Sequence, residues 1–230
     1  VSQHTTFNTR FEKIINFDTL KIRKVIYIEK NIAPLSFSGQ LFDKITNKPI
    51  DGIVEVNIDN EKITRLTTVD SKFAAEIPRN IKYTITYLVK GYMPYREVFM
   101  LTDDSKKDIY LDKIKIGDRF TMRNLQFDSG KATLNPESIT ELEMLKAFMF
   151  ENPNIRLEVS AHTDIVGSHS SNMKLSDSRA KTIYTWLTKN GVVKNRITYK
   201  GYGPDLPIAD NSTAEGKGLN RRAEFKIIDE

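Results

Sequence analysis

Ile155-Arg156-Leu157-Glu158-Val159-Ser160-Ala161 places an apolar residue at every second position and a polar or charged one between them. A period of two belongs to a strand with one buried face, so a strand is predicted across 155–161. Just before it, Asn135-Pro136-Glu137-Ser138 joins a cap residue to a proline at the first helical position. Ile139, Leu142, Leu145 and Met149 then recur at three- and four-residue spacing until Asn152-Pro153, which predicts an amphipathic helix. After the strand, Leu175, Ile183 and Leu187 mark a second helix ending at Asn190-Gly191, where glycine supplies a left-handed cap. Phe120 to Phe127, Arg196 to Lys200 and Ala223 to Ile228 read as further strands. Strands alternating with helices on this scale predict an α/β sandwich over residues 113–230, a βαβαββ-type sheet with its helices on one face.

Upstream the pattern changes. Phe37 to Phe42 reads as a strand, Asn47-Lys48-Pro49-Ile50-Asp51-Gly52 as a turn, and Ile53, Val54, Val56 and Ile58 as the next apolar stretch. Tyr83 to Val89 is rich in Tyr, Thr and Ile, types that suit a pleated surface, and Gly91-Tyr92-Met93-Pro94 breaks the run. Short strands at this spacing predict a small β-sandwich over residues 36–112. Gly39-Gln40-Leu41-Phe42-Asp43, Lys48-Pro49-Ile50-Asp51-Gly52, Val69-Asp70-Ser71-Lys72-Phe73, Tyr83 and Gly91-Tyr92 resemble the carboxypeptidase regulatory-like fold, although Lys72 stands where that family usually has glycine. Such sandwiches are mostly spacers or interaction modules, so the resemblance implies architecture more than activity. Residues 1–35 form a lead segment in which Ile22 to Ile28 is apolar enough for a strand, belonging either to the sandwich or to something upstream. The expected class is α+β, a small β-sandwich followed by the α/β sandwich.

The 230 residues suffice for two modest domains, and the apolar share of 39% is that of a globular protein. The net charge of +5 and pI near 9.2 suggest an anionic partner, yet Lys and Arg are interleaved with Asp and Glu, so the field is mild. Absence of cysteine removes disulfides, thiolate nucleophiles and Cys-ligated metals, and leaves the redox compartment open. No apolar run approaches the roughly 20 residues that span a bilayer, and Val1 to Thr6 lacks a signal pattern. Any export signal or lipid anchor is expected outside this stretch of chain.

Gln126-Phe127-Asp128-Ser129-Gly130, Ala161-His162-Thr163-Asp164, Asn172, Leu175-Ser176-Asp177-Ser178-Arg179-Ala180, Gly201-Tyr202-Gly203, Asn211, Gly216 and Asn220-Arg221-Arg222 resemble, in order and spacing, the OmpA C-terminal domain. The resemblance runs from Lys113 to Ile228 and departs at Ala161, Ser171 and Lys217, where the family usually has Gly, Tyr and Arg. It implies non-covalent binding of peptidoglycan, with Asp164 and Arg179 holding the diaminopimelate residue of the peptide stem. The chemistry is coherent: diaminopimelate ends in a free amino acid centre, and a carboxylate beside a guanidinium fork complements that zwitterion. Asp164 is expected just beyond the strand ending at Ala161. Arg179 is expected in the first half of the second helix, sharing a face with Leu175, with residues 165–171 closing the pocket. Thr163, Asn172 and Asp128 are candidate further contacts, each with a turn or cap bond as the alternative. Of Arg221 and Arg222, one is expected to face the wall and the other to partner an acidic residue, and Asn220 to fix a turn. Asp164 and Arg179 themselves have an alternative, an ion pair with each other when the site is empty.

Other function classes find less support. His162 and His169 are seven residues apart and lack the helical spacing of common zinc sites, so no metal or other cofactor is expected. No nucleophile elbow, phosphate-cradling loop or dinucleotide fingerprint occurs. A peptidoglycan-modifying carboxylate pair is the enzymatic alternative, but Asp128 and Asp164 lack an apolar surround that would raise one pKa. A non-enzyme is expected. Nucleic acid is not, because the aromatics fall at alternating core positions rather than among basic residues. Bacteroidota envelope proteins combine these two domain types, some as secretion-system components. By that resemblance the chain is periplasmic and outer-membrane associated, with envelope protein partners on its N-terminal half.

Overall fold

The computed structural model describes residues 33–58, 61–122, 125, 127, 128 and 130–229; the Ile22 to Ile28 stretch lies outside them. The described residues form a mixed α/β structure with three α-helices and several sheets.

The N-terminal part is a β-sandwich. One sheet is built on β1 (Leu35–Asp43), which pairs with β4 (Lys72–Ile77) and, in parallel, with the short β7 (Ser105–Lys106) and β8 (Ile109–Leu111). The other has the order β3 (Glu61–Thr67), β2 (Ile53–Ile58), β5 (Lys82–Leu88), β6 (Tyr95–Met100), antiparallel throughout. β1 thus starts at the residue given above to the end of the lead segment. Alternate residues of the two sheets face inward, and Leu35, Phe37, Leu41, Val54, Val56, Tyr83, Ile85 and Tyr87 are all buried. Asp43 ties the sandwich to the Tyr92 turn. The amide of Thr46 foremost, then the Tyr92 hydroxyl, hold its carboxyl down at about 2.

The C-terminal part runs β9 (Arg119–Thr121), α1 (Pro136–Glu151), β10 (Arg156–His162), α2 (His169–Lys189), β11 (Ile197–Gly203), α3 (Ala214–Asn220) and β12 (Ala223–Asp229). The sheet order is β11-β10-β12-β9, with β10 parallel to β11 and antiparallel to β12. Leu142, Leu145, Phe148 and Met149 of α1 and Ile183 and Leu187 of α2 pack with Leu157, Val159, Phe225 and Ile227, so both helices cover one face. Asn135 caps α1 by accepting from the Ser138 amide at 2.8 Å. β9 is shorter than the strand expected from Phe120 to Phe127: the Leu125 amide turns back to the Met122 carbonyl, and Phe127 makes only an isolated bridge to Leu134. α2 begins well before Leu175, because Ser168 accepts from the Ser171 amide and opens the helix there. The third strand starts at Ile197, since Lys194–Arg196 form a 3-10 turn.

α1 joins the two parts. Arg96 of β6 pairs with Glu141 at 2.7 Å, both largely buried, and the Gly91 amide donates to Asn152 Oδ1 at 2.6 Å. Leu88, at the end of β5, belongs to the same core cluster as the C-terminal helices.

The face of the β11-β10-β12-β9 sheet opposite the helices carries Glu158, Ser160, His162, Tyr202 and Glu224. His162 is 2% exposed, stacks on Tyr202 with ring centres 5.4 Å apart, and has no hydrogen-bond partner on either ring nitrogen among the described residues. Burial first, then the charges of Arg222 and Arg119 against that of Glu224, bring its imidazole down to about 4.

Arg96→Ala removes the cation beside a buried carboxylate and is expected to lower the unfolding free energy in urea by about 2–4 kcal/mol. Arg65→Ala, which breaks the more exposed pair to Glu151, is expected to cost less than about 1 kcal/mol; equal losses would contradict this account of how the two parts are joined. For His162 the folded pKa lies below the unfolded value near 6.5, so the unfolded chain binds the proton more readily and stability falls as pH drops from about 6.5 toward 4. Between pH 7 and 4.5 the wild type should lose about 2 kcal/mol more than His162→Phe, which keeps a ring on Tyr202 and cannot take the proton. Parallel pH curves for the two proteins would refute it.

Candidate functional site

The antiparallel register of β12 on β10 decides which residues meet. Ala161 pairs with Ala223, and the His162 amide donates to the Arg222 carbonyl at 2.9 Å. The end of β10 therefore lies against the start of β12, which brings Arg221, the C-cap of α3, beside Asp164.

Asp164 is 8% exposed and lies two residues past β10, which ends at His162 rather than Ala161. Its carboxylate is already occupied. Oδ2 accepts from Arg221 Nη1 at 2.6 Å and Oδ1 from the Val166 amide at 3.0 Å. Burial raises the carboxyl's pKa; the bonds from Arg221 and Val166, with the charges of Arg221 and Lys217, outweigh it and leave the group below its ordinary value. The aspartate is thus ionised.

Arg179 sits midway along α2, 6% exposed, and makes no ion pair with Asp164 among the described residues. Nε donates to the Lys131 carbonyl at 2.9 Å and Nη2 to the Asp128 carbonyl at 3.1 Å, while the guanidinium lies 5.1 Å from the Phe127 ring centre. Burial, then the charge of Arg221, lowers its pKa, and Asp164 works in the opposite direction. The two residues therefore sense each other's charge without touching. A guanidinium has five N–H donors, so the fork that pins the segment around 128–131 keeps donors to spare.

The alternative of an ion pair between Asp164 and Arg179 is not what forms: Asp164 pairs with Arg221. Arg222 takes the structural part, donating to the Leu206 carbonyl at 3.2 Å with Glu224 beside it at 3.5 Å.

The remaining candidates shape the site rather than converge on it. Thr163 Oγ1 donates to the Asp164 carbonyl at 2.8 Å, and Asn172 Nδ2 reaches the Asp164 and Val166 carbonyls at 3.3 and 3.1 Å. These three bonds hold the loop at 164–166, whose Ile165 and Val166 side chains are exposed. Residues 169–171, expected in that loop, belong to the first turn of α2. The Asp128 carboxylate stands on an exposed rim near Lys131. Leu175 is half-buried on α2 one turn before Arg179. Asn220 is fully buried, and its side chain bonds to the Ile208 and Ala209 amides and the Ala209 carbonyl, fixing the loop that leads into α3.

The glycines of Gly201-Tyr202-Gly203 let α2 approach the sheet. A Cβ on Gly201 would lie 2.2 Å from the Asp177 backbone nitrogen. Ser176 Oγ accepts from the Gly203 amide at 2.8 Å and donates to the Met173 carbonyl, which sets the helix on β11 and Arg179 at its height. Phe127 and Lys217 join the site without having been expected there. Both stand in or beside the blocks that carry the family resemblance, Phe127 before Asp128 and Lys217 after Gly216, and they reach the site through the tertiary fold.

Comparison with known proteins finds relatives of the C-terminal part. Residues 126–221 match the OmpA family. Outer membrane porin F of Pseudomonas fluorescens is 39% identical over 104 residues, which cover 45% of this chain and 32% of that protein. Probable lipoprotein YiaD of Escherichia coli (strain K12) is 42% identical over 104 residues, covering 45% of this chain and 48% of that protein. Peptidoglycan-binding protein ArfA of Mycobacterium bovis is 33% identical over 103 residues, 45% of this chain and 32% of that protein. The chain matches between about a third and a half of the length of these relatives. Its C-terminal part is OmpA-like.

Proposed function

We propose that residues 113–230 bind peptidoglycan non-covalently through the diaminopimelate residue of the stem, and so anchor an envelope assembly to the cell wall from the periplasm. The observation that carries this reading is the meeting of one ionised carboxylate, Asp164, with two guanidinium groups, Arg179 and Arg221, at the end of β10. A free amino acid centre offers the complementary set. Its ammonium exchanges with Arg221 for Asp164, and its carboxylate takes the spare donors of Arg179. The similarity to proteins of the outer membrane, and to one named as peptidoglycan-binding, supports the same reading. Binding rather than catalysis is proposed, since the one buried carboxylate at the site is ionised and held by a cation, whereas a general acid needs a raised pKa.

Residues 36–112 are proposed to be an interaction module of the carboxypeptidase regulatory-like type that presents a protein partner. It contacts the C-terminal part along α1, through Arg96 and Gly91.

Co-sedimentation with purified sacculi tests the proposal. Asp164→Ala should weaken retention roughly tenfold to a hundredfold, the usual worth of one charge-assisted contact. Arg179→Ala should do the same and also release the 128–131 segment, which would appear as faster amide exchange there. Retention unchanged in both variants would remove the assignment, equal retention by lysine-type walls would remove the diaminopimelate preference, and release of soluble muropeptides would turn the protein into an enzyme.

A further inference from the structure

The site is unevenly charged for a zwitterion. Against the buried carboxylate of Asp164 stand Arg179, Arg221 and Lys217, the last acting on Asp164 through its charge, while the exposed Asp128 carboxylate on the rim is paired with Lys131. The two halves of an amino acid centre therefore meet different situations. An arriving ammonium must displace Arg221 from a 2.6 Å charge-assisted bond, so its gain is the difference between two similar contacts. An arriving carboxylate displaces nothing from Arg179, whose fork has unused donors. It also offers the released Arg221 a new acceptor, and the Arg221 side chain is 49% exposed and able to turn.

Resting on the reading proposed above, we infer that Arg221 is a specificity residue that passes from Asp164 to the ligand's carboxylate, making that carboxylate the dominant determinant of binding. The site then selects stems whose diaminopimelate centre carries a free acid, and a wall amidated at this carboxyl is refused. The ammonium serves chiefly to free Arg221.

Three synthetic stem tetrapeptides separate the contributions in a calorimetric or NMR titration: one with the free centre, one with its carboxylate changed to carboxamide, and one with its ammonium changed to hydroxyl. In the wild type the carboxamide should bind about a hundredfold more weakly than the parent and the hydroxyl analogue about tenfold more weakly. In Arg221→Gln, where the carboxylate has one guanidinium and Asp164 is not neutralised beforehand, the order should reverse; its thermal midpoint reports that it is folded. A hydroxyl analogue that loses as much as the carboxamide in the wild type, or an order unchanged by Arg221→Gln, would overturn the inference. Failure of the parent peptide itself to bind would instead overturn the underlying reading of the site.

Discussion

The antiparallel pairing of β12 with the central strand β10 is the constraint on which the site depends. It lays Ala223 against Ala161 and hands the Arg222 carbonyl to the His162 amide. From that register Arg221 must fall beside Asp164, 57 residues away in the chain. A one-residue slip would turn Phe225 and Ile227 out of the core, so the burial of those side chains holds the register and, through it, the ion pair. α2 is fixed on the same frame by the close approach at Gly201 and the Ser176 bonds. The grip is thus set by packing that takes no part in it.

Five side-chain bonds to backbone carbonyls hold the surrounding loops. Thr163 and Asn172 secure 164–166, and Arg179 secures the carbonyls of Asp128 and Lys131. Of the three charged groups Asp164, Arg179 and Arg221, the least constrained is Arg221, whose side chain is half in solvent. A ligand that changes one contact at this site changes that one. Arg179 braces the carbonyls of Asp128 and Lys131 from the middle of α2 and lies against the Phe127 ring.

Much of the fold was legible in the sequence where the pattern was strong. The alternation of Ile155, Leu157, Val159 and Ala161 marks β10, and Asn135-Pro136 marks the start of α1. Weak patterns hid the rest. α3 has two glycines in seven residues, which suppress helix propensity, and is held instead by the Thr213 cap and the buried Asn220. The first turn of α2, His169-Ser170-Ser171-Asn172, is made of poor helix formers and starts because Ser168 caps it. At the site, Asp164 and Arg179 stood out through a family resemblance. That Asp164 pairs with Arg221, and that Arg179 bonds to backbone carbonyls, are facts of tertiary register that no local spacing encodes.

The central claim is that the Asp164–Arg221 pair opens to admit an amino acid centre. The most direct measurement is a crystal structure of the protein with a diaminopimelate-containing stem tetrapeptide. The account predicts the ligand's ammonium on the Asp164 carboxylate, with Arg221 turned away from it and the ligand's carboxylate against Arg179 and Arg221. A peptide bound elsewhere, with Arg221 still on Asp164, would contradict it.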